Sequence, residues 1–200
     1  MKPIVSANSR IRHPEHFVIG EDSIVDDYCY FSTKVRIGRC THIASGCSIA
    51  GGSEMQFQIG QFCSLSSGVK IWCTSDDFVN DIVTIIPSDV ASIGPVKTHL
   101  IRGDVTLDDY TAVGSNSVVM PKNHIPEGTV IGALSFVPVA FEFQAWSVYA
   151  GIPLRFLRPR NRESVMEQVR RLEVSLQRQG KGESRKKTHR VRRSDAEASN

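Results

Sequence analysis

The sequence lacks a strong net charge, a paired cysteine motif and any long apolar run. Its 24 basic and 21 acidic residues leave a formal charge of +3, much of it in the basic stretch 181–193, so charge does not favour a nucleic-acid enzyme. The five cysteines include no CxxC pair that would suggest zinc. An odd number of cysteines, no signal peptide and no transmembrane-length apolar segment predict a soluble, reduced, cytoplasmic protein. We expect no metal, no nucleic-acid partner and no stable membrane insertion.

Aliphatic side chains recur at every sixth position in two long stretches. Neither a helix nor a simple strand has this period, whereas six residues of strand and corner, about 20 Å long, fit one side of a three-sided coil. Each coil would bury its interior only against its neighbours, as in other solenoids. The two stretches consist of Ile19, Val25, Phe31, Ile37, Ile43, Ile49 and Met55, and of Ile101, Leu107, Val113, Val119, Ile125, Ile131 and Val137.

The pattern is interrupted twice. It slips by two residues after Met55, which predicts a shortened corner at Gln56–Gln58, and it resumes at Ile59. It then stops between Asp76 and Leu100. A long excursion from a rigid, repetitive wall is a natural carrier of functional side chains.

The repeat and its boundaries predict four segments. We expect a lead-in over residues 1–18, a β-helix over 19–142 with an excursion loop at 76–100, a cap segment and helix over 143–179, and a disordered basic tail over 180–200. The hexad pattern ends at Val137, and the aromatic residues Trp146 and Tyr149 are expected to seal the open end of the coil stack. Apolar spacing from Val165 onward predicts a helix capped by Asn161.

Two motifs connect these hexads to a known family. The chain reads VGSNSVV from Val113 and AGIPLR from Ala150 to Arg155, and in this it resembles the hexapeptide-repeat acyltransferases, most closely the sugar O-acetyltransferases of the galactoside and polysaccharide-biosynthesis type. The resemblance implies an all-β fold: a left-handed parallel β-helix of hexapeptide repeats with an excursion loop and a C-terminal α-helix. It also implies a homotrimer that binds acetyl-CoA in the groove between neighbouring subunits.

The sequence departs from the family where the catalytic base is expected. Similar enzymes carry a histidine at the mouth of the excursion, but here the corresponding position is occupied by Asp76, followed by Asp77. Either His99, at the far end of the excursion, or one of these aspartates is the candidate base. The alternatives are a loop-end hydrogen bond for His99 and, for the aspartates, an Asx-turn or the binding of acceptor hydroxyls. Phe78 and Asn80 are expected to contact the acceptor.

Small and basic residues in the later coils are candidates for binding the coenzyme. Small residues would let the pantetheine chain approach the backbone, although corners of any β-helix favour them too, and basic side chains suit the phosphates. The resemblance thus suggests the small residues Gly114, Ser115, Gly132, Ala133 and Ser135 and the basic residues Lys122, Arg155 and Arg158, with Arg160 as a further cation. The alternative to a sealing role for Trp146 and Tyr149 is that they cap the adenine.

The predicted function is acetyl transfer from acetyl-CoA to a hydroxyl or amine of a sugar, nucleotide sugar or glycan precursor by direct attack on the thioester. Such a reaction needs a base, stabilisation of the tetrahedral oxyanion and a groove for the coenzyme. The alternatives are a non-catalytic β-helix scaffold and an N-acyltransferase acting on an amino sugar.

Overall fold

The computed structural model describes residues 1–77, 79 and 100–177. The predictions for His99, Phe78 and Asn80, and for the tail 180–200, concern positions outside this range.

The described chain is built mainly from short strands. In chain order they are β1 (Ile4–Val5), β2 (Arg10–Ile11), β3 (Phe17–Ile19), β4 (Ile24–Val25), β5 (Tyr30–Ile37), β6 (His42–Ile43), β7 (Ser48–Ile59), β8 (Ser64–Leu65), β9 (Lys70–Trp72), β10 (Thr74–Asp76), β11 (Leu100–Arg102), β12 (Val105–Leu107), β13 (Ala112–Val113), β14 (Val118–Val119), β15 (His124–Ile125), β16 (Val130–Ile131), β17 (Phe136–Val137), β18 (Ser147–Ala150) and β19 (Arg155–Pro159). A 3₁₀ turn at Pro14–His16 precedes β3.

The strands stack into three faces, which makes the chain the predicted left-handed parallel β-helix. The first face runs β1-β4-β6-β8-β13-β16-β18 in parallel pairs. The second runs from β2 through the first halves of β5 and β7 to β9, β14 and β17, and the third from β3 through the second halves of β5 and β7 to β12 and β15. Because β1 and β2 already pair with β4 and β5, coil stacking begins within the first residues of the chain.

The hexad aliphatics form the core as predicted. Residues from successive coils lie directly above one another, as Val113 lies on Leu65 and Ile131 on Val113. These stacked side chains are all nearly inaccessible to water, at 3% exposure or less: Val25, Ile43, Leu65, Val113, Ile131 and Tyr149 on the first face, Phe31, Ile49, Ile71, Val119 and Val137 on the second, and Ile37, Ile59, Leu107 and Ile125 on the third.

The expected shortened corner at Gln56–Gln58 is wrong, because the coil is lengthened instead. In β5, Val35 comes four positions after Phe31. In the paired β7, the corresponding Phe57 comes eight positions after Ile49. Four extra residues therefore loop out at this corner. Met55 is only partly buried and packs against the edge of the core instead of joining the stacked register. Residues 50–56 are called the inserted corner below.

Two further register assignments change in the structure. Ile101 lies in β11, which pairs antiparallel with β10, so it is outside the stacked core. At the other end the six-residue spacing continues past Val137 with aromatic residues, since β18 pairs with β16 and sets Tyr149 on Ile131. Phe141, Phe143 and Phe156 pack edge-on around Tyr149, which takes the predicted sealing position.

The C-terminal helix, α1, is a separate unit that starts after Arg160. It begins at residue 162 and is described through 177. The backbone N–H of Ser164 donates to Asn161 Oδ1 at 3.0 Å, so Asn161 caps the helix as predicted. Within the described range, no helix has the length and apolarity needed to span a membrane.

An aromatic ladder supports the corner between the third and first faces. Phe62 stacks on Tyr110 with ring centroids 5.8 Å apart, and Tyr110 contacts Trp146 at 6.0 Å. Arg39 lies over Phe62 and Arg160 over Trp146. Arg160 also donates to the carbonyls of Tyr110 and Gly128, so its guanidinium braces the wall.

Gly128 lies in the coil between those of Tyr110 and Trp146, and its lack of a side chain lets these two rings meet. Replacement of Gly128 by alanine is therefore expected to destabilise the protein. An added Cβ would lie 2.4 Å from the Trp146 ring, at a residue whose φ is +70°. We expect a loss of about 2–3 kcal/mol in unfolding free energy, measured by urea denaturation, from overpacking added to backbone strain.

Gly46→Ala is the matched control for Gly128→Ala. Gly46 has a φ of +71°, but an added Cβ there would come no closer than 4.0 Å to another atom. It should therefore lose only the backbone contribution of about 1 kcal/mol. Equal losses in the two variants would show that contact with Trp146 is unimportant.

Candidate active site at the excursion corner

Both insertions in the β-helix leave the wall at the same corner, the one between the second and third faces. The inserted corner follows Ile49, and the excursion follows Ile71, which lies directly above Ile49. In the next coil the same corner is short again, with Val119 and Ile125 in ordinary hexad register. The two largest interruptions of the described wall thus lie at one corner, in two adjacent coils. The first coil is lengthened there by only two residues, between Ile11 and Phe17.

The inserted corner is held by hydrogen bonds from three sides. The Thr33 hydroxyl donates to the carbonyl of Met55, and the Thr74 hydroxyl donates to the carbonyl of Gly51 at 3.0 Å. Asp104 Oδ1 accepts from the backbone N–H of Gln56 at 2.8 Å. Thr33 belongs to the preceding coil, whereas Thr74 and Asp104 stand at the two ends of the excursion, so the loop is fixed by its neighbours.

A cleft of about 420 Å³ opens between the inserted corner and the β10–β11 ribbon, and it is called the corner cleft below. Its volume lies within the usual range of small-molecule sites. Its lining combines two opposite charges, two hydroxyls, two apolar side chains and a glycine backbone: Glu54, Arg102, Ser53, Thr74, Met55, Leu100, Gly51 and Gly52.

The two charged side chains of the corner cleft are not paired with each other. Ser53 Oγ donates to Glu54 Oε1 at 3.5 Å, a weak contact. Among the described residues, no ion pair joins Glu54 to Arg102. The cleft therefore offers the Glu54 carboxylate, which can bind a positively charged group, and the Arg102 guanidinium, which can bind a negatively charged one.

The cysteine beneath the corner cleft is unsuited to carry an acyl group. Cys73 is fully buried, and its Sγ lies 3.5 Å from the carbonyl of Gln56. Burial raises the pKa of Cys73 to about 12, so the thiol stays protonated at neutral pH and is a poor nucleophile. This favours direct transfer over a cysteinyl intermediate.

The structure places both candidate aspartates at the mouth of the excursion. Asp76 ends β10 opposite Leu100, one of the residues that line the corner cleft. Asp77 Oδ1 accepts from the backbone N–H of Val79 at 3.1 Å, which is the Asx-turn considered as the alternative. His99 lies outside the described residues, and Leu100, which follows it in the chain, lines the corner cleft.

The small residues proposed for coenzyme binding are used extensively by the wall itself. A Cβ on Gly114 would meet the Ala133 nitrogen at 2.3 Å, and one on Gly132 would meet Ala150 Cβ at 2.8 Å. Ser135 is 2% exposed, and its hydroxyl donates to Gly132 O and accepts from Gly151 N. Coil stacking is sufficient to explain these three residues.

Ser115 and Ala133 lie at the corner outside the core, where a ligand can reach them. Ala133 is exposed and Ser115 half-buried. The Ser115 carbonyl accepts from the Leu134 N–H at 2.9 Å. Contact between these two residues and a coenzyme therefore stays a prediction.

The predicted cations fall into two groups. Arg155 and Arg158 are exposed on β19, which pairs antiparallel with β18 at the end of the coil stack. Lys122 is at the excursion corner, in the coil above, and its stem passes so close to Gly103 that an added Cβ would lie 2.3 Å from Lys122 Cγ. Lys122 therefore packs on Gly103 at the excursion corner, whereas Arg155 and Arg158 lie on the last strand.

Two histidines outside the excursion are held by carboxylates. His42 Nε2 is 2.8 Å from Asp26 Oδ2, and His124 Nε2 is 2.8 Å from Asp108 Oδ2. They lie on different faces, in β6 and β15, and both are largely exposed. In the part of the chain that the structure describes, no three His, Cys, Asp or Glu side chains are placed to hold a metal.

Sequence reasoning missed the residues that line the corner cleft. Met55 was predicted to be a core position of the repeat, and neither Glu54 nor Arg102 was singled out. One signal was present in the sequence: Ile59 comes ten positions after Ile49, whereas the repeat requires a spacing of six. The residues of such an insertion are free to line a site because they do not fill the core.

The stacked hexads, with insertions confined to one corner, define a hexapeptide-repeat β-helix protein, and similarities to known proteins confirm the resemblance to acyltransferases. The chain is 27% identical over 154 residues to a dTDP-4-amino-4,6-dideoxy-D-glucose acyltransferase of Escherichia coli, covering 74% of each protein. It is 29% identical over 121 residues to a probable macrolide acetyltransferase of Lysinibacillus sphaericus, covering 58% of this chain and 66% of that protein. No family model matches the chain.

Similar solved structures contain ligands. The N-acyltransferase AntD from Bacillus cereus, in complex with dTDP and 3-hydroxybutyryl-CoA, matches with a TM-score of 0.74 and 27% identity, covering 86% of this chain and 88% of AntD. The similarity thus extends over most of both chains.

Proposed function

We propose that this protein is an acyl-CoA-dependent acyltransferase that acylates the amino group of a nucleotide-linked amino sugar. The observation that carries the proposal is the match to AntD over 86% of the chain, because that enzyme binds both dTDP and an acyl-CoA. The E. coli relative, named for a dTDP-linked amino sugar, supports the same acceptor class. The sequence resemblance favoured O-acetylation, and these relatives are the reason to prefer an amine.

The reaction is a direct transfer without an acyl-enzyme. The acceptor ammonium first loses a proton to a base, and the free amine attacks the thioester carbon. An N–C bond forms, the C–S bond breaks, and the sulfur leaves with the second amine proton as free CoA thiol. The high pKa and full burial of Cys73 argue against a cysteine relay at this corner.

The corner cleft is proposed as the acceptor site, with the candidate bases around it. His99 is the preferred base because an imidazole titrates near neutral pH, with Asp76 and Asp77 as alternatives. The acyl-CoA is proposed to lie along the later coils near Ser115 and Ala133, with its phosphates near Lys122, Arg155 and Arg158. A homotrimer is proposed, since the family resemblance implies a donor groove between subunits.

The function is tested by the release of CoA thiol from acetyl-CoA and 3-hydroxybutyryl-CoA. The acceptors are dTDP-4-amino-4,6-dideoxyglucose and its 4-hydroxy counterpart, with product identity checked by mass spectrometry. We expect thiol release that depends on the acceptor, an amide product, and turnover with the amine that exceeds turnover with the hydroxyl.

The other results of this assay are also decisive. Turnover with the hydroxyl sugar alone would move the assignment to O-acylation. If neither acceptor reacted and calorimetry detected no binding of CoA at millimolar concentration, the scaffold alternative would replace the enzyme proposal.

A further inference from the structure

The corner cleft presents opposite charges on two different walls. Glu54 is carried by the inserted corner, and Arg102 is carried by β11 of the ribbon. Both side chains are exposed to water, and no ion pair links them within the described part of the chain. Opposite charges that line one cleft without pairing fit a ligand that carries a charge of each sign.

The wall that carries Glu54 is fixed before any ligand arrives. Its three anchoring hydrogen bonds come from Thr33, Thr74 and Asp104. An ordered loop loses less conformational freedom on binding than a loose one, so a charge on it binds more effectively. Gly52 in this wall has a φ of +75°, a backbone conformation that glycine adopts readily. A Cβ there would meet nothing within 4 Å, so the space beside Gly52 is open.

The positive wall carries a guanidinium. Arg102 is exposed on β11, and a guanidinium binds phosphate oxygens through paired N–H groups. This side of the cleft therefore suits phosphate, whereas the Glu54 side suits an ammonium group.

The two apolar side chains of the cleft specify the rest of the ligand. Met55 and Leu100 line the space between the charged walls. A sugar ring that lacks hydroxyls, such as a deoxy sugar, loses less hydration against these side chains than a fully hydroxylated one.

We propose that Glu54 and Arg102 select a zwitterionic acceptor, in which Glu54 binds the ammonium group of the sugar and Arg102 binds the phosphate of the nucleotide. This inference rests on the proposed function and deepens it, because it assigns acceptor specificity to two residues that hold opposite ends of one molecule. Both residues are specificity-determining, and the proton transfer itself remains with the candidate bases.

The test is calorimetric binding of two ligands to the full chain and to the variants Glu54→Gln and Arg102→Gln. The ligands are dTDP-4-amino-4,6-dideoxyglucose and its 4-hydroxy counterpart. Glu54→Gln should weaken binding of the amino sugar by about 5- to 10-fold and leave the hydroxy sugar unchanged, the low end for a charged hydrogen bond because the site is exposed. Arg102→Gln should weaken both ligands by about the same factor, since both carry the diphosphate.

Matched controls remove the same charges elsewhere on the surface. Glu142→Gln and Arg10→Gln alter exposed residues that do not line the corner cleft, and they should leave both affinities unchanged. Thermal melting should coincide for the four variants and the parent protein, since none of the four side chains is buried.

Binding separates this inference from the proposed function. If the parent protein binds the amino sugar through Glu54 and Arg102 but transfers no acyl group, the selection stands and the enzyme proposal fails. If it transfers acyl groups and Glu54→Gln weakens both ligands equally or neither, the selection is overturned. Failure of the parent protein to bind the amino sugar also overturns it.

Discussion

Replacing Phe31 by alanine is expected to lower the free energy of unfolding by about 3–5 kcal/mol, the usual cost of emptying a large aromatic site in a core. Phe31 is 0% exposed and stacks on Ile49 of the next coil. It also meets Phe17 edge-on with ring centroids 5.1 Å apart. Because a solenoid is stable only through contacts between neighbouring coils, a cavity at this position weakens two interfaces at once.

Urea denaturation followed by circular dichroism measures this loss. The slope with denaturant must also be compared, because a changed slope would mean that coils unfold separately. Val18→Ala is the control: Val18 lies in β3 at 48% exposure and should cost less than about 1 kcal/mol. A Phe31→Ala loss no greater than that of Val18→Ala would contradict the stacked-core interpretation.

Replacing His99 by alanine is expected to reduce turnover by at least about a hundredfold, the low end for loss of a general base. Because the expected effect is on the chemical step, the His99→Ala variant should keep the melting temperature of the parent protein. Steady-state rates at saturating acyl-CoA and acceptor measure the effect.

His42→Ala is the matched control for the base. It removes an exposed imidazole that is held by Asp26 on the first face, away from the excursion corner, and should leave turnover unchanged. If His99→Ala keeps the parent rate, the role of base passes to Asp76 or Asp77. Asp76→Asn and Asp77→Asn then distinguish between the two, and Asp77 is the less suitable because its carboxylate already forms the Asx-turn.

The core could be predicted residue by residue because the hexad rule is local. Leu107, Val113, Val119, Ile125 and Ile131 are each buried to 1% exposure or less. Each inward position needs an aliphatic side chain whatever the rest of the chain does, so spacing alone identifies it. The same rule misassigned Met55, because an aliphatic residue six places after Ile49 satisfies the pattern even when the backbone between them loops out.

The candidate site was predicted only to the level of the corner. The interrupted pattern placed Asp76 and Asp77 at the mouth of the excursion, and the structure agrees. Arg102 could not be recognised in the same way, because antiparallel pairing of β10 with β11 brings Arg102 opposite Thr74 from a distant part of the chain. The place of Glu54 in the cleft could be predicted only after the corner was recognised as lengthened.

The sequence by itself determined the class of fold, the identity of the core side chains and the position of the main interruption, since each follows from the size and spacing of residues near one another in the chain. The tertiary structure decided that two insertions stack at one corner, that Thr33, Thr74 and Asp104 hold the inserted corner, and that Glu54 and Arg102 line one cleft. These relations join residues from different coils. They depend on how many residues each coil contains, because that number sets which residues of neighbouring coils lie side by side when the strands pair.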